Sequence, residues 1–285
     1  MIKDYFHAFF FNQPRVFIRL GLLRIIVVGI CLIMLSKGPY DTIYHTQFAP
    51  IMFQGHFPFL FFPVLGEGIL WLKIFAYGIG FFALIGYKAR LTLPLFTLSY
   101  CTLNYYIHCF QDHYCMNQAH LNVALIALSL SSSSSKFSID SFSSEEPTSL
   151  TACEKGSFAL TFLGGYIALL FFQTGLSKLI YGGIGWFLSG DTLYVETIFD
   201  GTDFGRYVTQ FSWVFPLFGV GVFFFELLFP FFFLFYRYHF IFGTVILFFH
   251  FGTYLVMGIS FWFLWPLYIP LFLMRGRCKR LQSSF

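Results

Sequence analysis

Charge is scarce in this chain. Asp, Glu, Lys and Arg make up 11% of its 285 residues, whereas hydrophobic residues make up 58% and Phe alone occurs 45 times. A soluble domain of this length needs a polar surface that so few charges cannot supply, and lipid needs none. The composition therefore excludes an ordinary soluble enzyme, and a net charge of +4 is too slight to argue for nucleic acid. Reaction signatures are missing as well: there is no GxSxG, HExxH, Walker loop or dinucleotide fingerprint. The six cysteines form neither CxxC nor a zinc pattern. His113, His120 and Asp112 cluster without a recognisable ligand spacing, so no metal is expected. No repeat of about twenty to fifty residues occurs. The opening segment lacks a small-residue cleavage site, which makes the first apolar stretch a retained helix.

Long apolar runs are abundant. A hydrocarbon core of about 30 Å takes about twenty helical residues. Candidate spans are Val16 to Leu35, Gly68 to Tyr87, Leu91 to Cys109, Ala119 to Ser131, Gly156 to Lys178, Trp213 to Tyr236, His239 to Gly258 and Phe261 to Met274. The fourth and eighth are short. Cytoplasmic loops are enriched in Lys and Arg. Eight crossings with the N-terminus inside put Arg15, Arg19, Lys88, Arg90, Arg237 and the tail from Arg275 to Arg280 on one side, and Asp191, Glu196, Asp200 and Asp203 on the other. Deleting the fourth crossing alone would send Arg237 and the tail outside. The expected fold is an all-α, polytopic bundle of about eight transmembrane helices in the cell's inner (plasma) membrane, one domain with both termini cytoplasmic. Lys37 to Glu67, rich in Pro and aromatics, reads as an interfacial cap. Residues 131–155, with a Ser run, read as a flexible polar connector.

Against this background the ionisable residues in apolar segments stand out. Lys178 ends the fifth run, where an ammonium either snorkels to the interface or serves a function. His120 begins the fourth run, so both belong to the outer face and could share one outward-opening pocket. Glu226 and His250 lie nearer mid-membrane; a carboxylate there must be protonated, paired or facing water. Each also has a purely structural explanation as an interhelical hydrogen-bonder. Arg24 is equally well a partner for an acid or a binder of lipid phosphate. Cys109 and Cys115 flank an external loop where an oxidising compartment permits a disulfide, though two free thiols fit as well. Cys31 and Cys101 read as apolar packing residues.

Three stretches together resemble the vitamin K-dependent γ-carboxylase superfamily, whose smaller bacterial members are the HTTM (horizontally transferred transmembrane) domain proteins. They are Gln118-Ala-His-Leu-Asn122 with Lys136-Phe-Ser-Ile-Asp140; Gly175-Leu-Ser-Lys-Leu179 with Trp186 and Gly190; and Phe249-His250 with Met257-Gly-Ile259 and Pro270-Leu-Phe272, preceded by Glu226. Their order matches over roughly residues 15 to 275.

The resemblance implies that Lys178 is the base that starts oxygenation of a vitamin K-type quinol, with His120 beside it and His250, Glu226 and Trp186 lining the cofactor site. Removing an amine from water favours its neutral, proton-accepting form, and an aromatic cavity suits a quinone ring. An enzyme of this kind would be a quinol-dependent carboxylase- or epoxidase-like oxidoreductase lacking the domain that docks a protein substrate. Its partners would be the bilayer and a quinone or lipid. Two departures stand against protein carboxylation: the absent docking domain, and Ser177 where the carboxylases carry a second lysine. Some relatives serve instead in maturation or export of secreted peptides, so a non-catalytic accessory factor with a membrane or secreted-peptide partner is the rival expectation. The enzyme reading requires an accessible Lys178 with an unpaired ammonium.

Overall fold

The computed structural model describes residues 7, 9–11, 13, 15–37, 67–110, 116–131, 136–143, 150–235 and 238–274. All regular structure in these residues is helical. In chain order the elements are α1 (Val16–Lys37), α2 (Glu67–Ile85), α3 (Ala89–Phe110), α4 (Met116–Leu130), α5 (Ile139–Ser143), α6 (Leu150–Ser189), α7 (Asp191–Asp200), α8 (Asp203–Val208), α9 (Val214–Phe233), α10 (His239–Met257) and α11 (Trp265–Tyr268), which runs into a π-helical turn, Ile269–Leu273.

Among the described residues five helices are long and apolar enough to cross a membrane: Val16–Lys37, Gly68–Ile85, Ala152–Ser189, Val214–Phe233 and His239–Met257. They expose large apolar side chains such as Phe248 and Trp71, the inverse of a water-facing surface, and the chain is an integral membrane protein on this evidence. The other three expected spans differ from these. α3 has the length, but Ser, Thr and Asn dilute its apolar character; Ala119–Leu130 is apolar but short. Residues 261–264 precede α11 without joining a helix, so the last segment is shorter than expected. Cys115, and with it the expected disulfide to Cys109, lies outside the described residues, as do residues 38–66 of the expected interfacial cap, Asp112, His113, Arg237 and the basic tail.

The chain divides into two compact units, Val16–Ala159 and Met1–Arg15 with Leu160–Phe285. In the first, α1 packs on α2 and α4, and α3 packs between α2 and α4. Small residues set the approach: a Cβ on Gly80 would lie 2.7 Å from the Phe96 ring. Polar side chains are absorbed within the bundle. Asn104 donates to Asn122 at 3.0 Å, and the hydroxyls of Thr97 and Ser129 meet at 2.7 Å, pairings that let polar groups join helices in hydrocarbon. Ser99 and Thr102 return their hydroxyls to the carbonyls four residues earlier, which satisfies each hydroxyl within its own helix.

Part of the expected flexible connector is fastened in place. Asp140 accepts from the backbone N–H groups of Lys88 and Ala89, both at 2.8 Å, and so caps the start of α3 with both carboxylate oxygens. Arg24 donates to the Phe137 carbonyl at 2.6 Å. Gly86 (φ 70°) leaves room for Ser138 and Arg24, where any side chain would collide. Arg24 is thus a structural partner of this connector.

In the second unit the Phe9 carbonyl accepts from Gln13 and Thr161, tying the N-terminal segment to α6. Phe171, Phe225, Phe229, Phe249 and His250 form one aromatic cluster across α6, α9 and α10. The α7–α8 arm is hooked to the end of α10: Thr202 bonds the Leu255 and Val256 carbonyls, which a helix end leaves unsatisfied.

Candidate functional site

The apolar run to Lys178 predicts a helix ending there. Instead α6 continues to Ser189 and is broken at Gly183 (φ 67°, ψ −178°). Lys178 therefore sits inside a helix, just over one turn before the break. A mirror-region φ is cheap only for glycine. After eight residues of straight helix, Trp186 would stand about 12 Å further along the axis. The break returns its ring to 4.9 Å from the Lys178 ammonium, a cation–π contact. Gly182 is needed too, since a Cβ there would come within 2.8 Å of the indole.

On the other side of the ammonium stands Glu226 of α9. Lys178 Nζ donates to Glu226 Oε1 at 2.6 Å and to Oε2 at 2.8 Å. Gly175, one turn before Lys178, makes the approach of the two helices close enough: its Cβ would lie 2.9 Å from the Cβ of Glu226. The pair is asymmetric, with 25% of the lysine side chain exposed and 3% of the glutamate. The carboxylate is the buried end, and the ammonium is the end that an incoming molecule meets.

His250 is buried and stacked against Phe261, with ring centroids 4.5 Å apart, and against Phe171 and Tyr268; its Nδ1 shares a 3.2 Å hydrogen bond with the Tyr268 hydroxyl. It is anchored within the aromatic cluster. His120, half-buried on α4, belongs to the first unit, whereas Lys178, Glu226, Trp186 and His250 belong to the second. Among the described residues no group of three or more His, Cys, Asp or Glu is placed to hold a metal. The sequence signals Lys178 and Glu226 separately as charges in apolar runs and gives no sign that they are partners, nor any that Tyr268 holds His250.

No family model, curated protein or solved structure matches this chain.

The arrangement has a definite chemical capacity. An ammonium has no lone pair and accepts no proton, so with Lys178 charged the proton acceptor is the carboxylate. Transfer of one proton along the 2.6 Å bond turns the ammonium into an amine and the carboxylate into a carboxylic acid, with the net charge of the pair zero before and after.

Proposed function

We propose that this protein binds a ring-bearing amphiphile, quinone-like or lipidic, at the Lys178–Glu226–Trp186 site, and that the pair exchanges a proton with it. The observation that carries the reading is the buried carboxylate gripped by an ammonium that is itself part-exposed and lies over an indole. A quinol hydroxyl meeting that ammonium finds a hydrogen-bond donor, with a proton acceptor directly behind it. The resemblance to the γ-carboxylase superfamily supports the quinol over other amphiphiles; the unpaired ammonium that the enzyme expectation requires is not met, since both oxygens of Glu226 hold Lys178, so quinol-dependent redox chemistry would have to run through the pair.

The membrane arrangement proposed with it is eight crossings, both termini cytoplasmic, in the inner (plasma) membrane, with the site opening outward. The Asp140 cap supports this count. It ties residues 136–143 to the α2–α3 turn, so α3 and α4 between them cross an even number of times, which agrees with two.

The rival reading, an accessory factor for maturation or export of a secreted peptide, draws on the same ion pair, which also serves as a clamp between α6 and α9. Extraction and mass spectrometry of purified protein decide between them. Bound quinone in the wild type, lost in Lys178→Met/Glu226→Leu at unchanged yield, supports the binding site. No quinone in the wild type, or equal quinone in both, leaves the clamp.

A further inference from the structure

A second feature of the same unit has no part in that site. Between α7, α9 and α10 lies a cavity of about 270 Å³, lined among others by Leu193, Thr197, Gly221, Val222, Gly252 and Thr253. Its room is made by glycine on facing helices, since a Cβ at Gly221 or Gly252 would meet nothing within 4 Å.

The lining specifies its occupant. Thr197 and Thr253 supply the hydroxyls of the wall, and both have committed their protons: Thr197 donates to the Leu193 carbonyl at 2.6 Å and Thr253 to the His250 carbonyl at 2.8 Å. A quinone carbonyl would find no free hydroxyl donor there, and a sugar head with many hydroxyls would find only two oxygens to accept from it. Water needs two to four polar partners, and an apolar cavity of about 150 Å³ stays dry and takes up hydrocarbon. This one is larger, and its lining residues Leu217, Phe218 and Phe248 are exposed on helices α9 and α10, of whose spanning windows only 22% and 17% are buried. α7 closes one end through Leu193 and Thr197, so a chain entering from the lipid side is held by three helices where a chain in the surrounding lipid touches one surface.

We propose that this cavity is a built seat for one acyl chain of a bilayer phospholipid, a resident lipid wedged between α9 and α10. Filling it adds dispersion contacts that the helices otherwise lack, and its occupant stabilises the folded state by linkage. The proposal does not depend on the reading of Lys178.

The test uses the full chain in nanodiscs containing phosphatidylcholine with a diazirine near the end of one acyl chain, followed by irradiation and peptide mapping. Cross-links concentrate on the cavity residues of α9 and α10 in the wild type. They are lost in Gly221→Leu and Gly252→Leu and kept in Gly78→Leu, a control glycine on α2 whose added Cβ also meets nothing within 4 Å. A second measurement covers poor folding of either variant: delipidated wild type gains thermal stability on adding phosphatidylcholine, and Gly221→Leu does not. Cross-links spread evenly over the lipid-facing sides of α2 and α9 overturn the proposal, as does an equal thermal gain in wild type and Gly221→Leu.

Discussion

Lys178 spans both oxygens of Glu226, 48 residues further along the chain, at 2.6 and 2.8 Å. Removing one member of such a pair leaves the other buried and uncompensated, whereas replacing both with apolar residues of similar size is nearly neutral. A single lysine substitution therefore confounds chemistry with stability, and the double variant is the informative one.

We expect Lys178→Met alone to lower unfolding stability by about 3 kcal/mol, the lower end of the range for a broken buried pair because the lysine reaches the surface. Lys178→Met/Glu226→Leu should return to within about 1 kcal/mol of the wild type. Denaturant or thermal unfolding in mild detergent reads both. A double variant no more stable than the single one would show that the pair is not the unit that matters.

Trp186 and the break at Gly183 should act as one device. Trp186→Leu loses a cation–π contact of about 1 kcal/mol. Gly183→Ala has space for its methyl group but places an L-residue at φ 67°, ψ −178°, costing about 1 to 3 kcal/mol and moving the indole. The two losses combined should fall short of their sum; strict additivity would mean that the break does not position the ring.

Asp140→Ala should cost about 1 to 2 kcal/mol through loss of the α3 cap, and Asp140→Asn less, since an amide keeps one acceptor. Thermal unfolding measures both. An Asp140→Ala protein as stable as the wild type would reduce the cap to a surface contact.

The proposed topology puts Ser189 outside and Phe142, which is 91% exposed, inside. In a chain whose own cysteines are replaced, an impermeant thiol reagent applied to intact cells should label Ser189→Cys and reach Phe142→Cys only after permeabilisation. The opposite pattern removes the eight-crossing arrangement with its termini inside.

Much of the helical layout was legible because apolar runs of the right length leave few alternatives in lipid. Charge asymmetry and run length do not locate a break, however. Gly182-Gly183 reads as two small residues in an apolar helix, and only the seating of Trp186 shows why they are there. Glu226 was visible as a charge in need of a partner, but identifying that partner requires knowing which face of α9 meets α6. The connector looked mobile because its composition is polar, and its fastening to α3 depends on one carboxylate that composition cannot single out. α3 itself reads as less apolar than its neighbours because its Ser, Thr and Asn groups are satisfied inside the bundle, an economy invisible to a hydropathy average.

The break in α6 also bears on the bilayer itself. Unbroken, Ala152–Ser189 would be about 57 Å long, nearly twice the hydrocarbon thickness, and would have to lean steeply or stand far out of the lipid. Bent at Gly183, the straight stretch from Ala152 to Gly182 falls to about 46 Å, so the six residues after the glycine leave the helix axis and less tilt is asked of the part that holds Lys178 on Glu226.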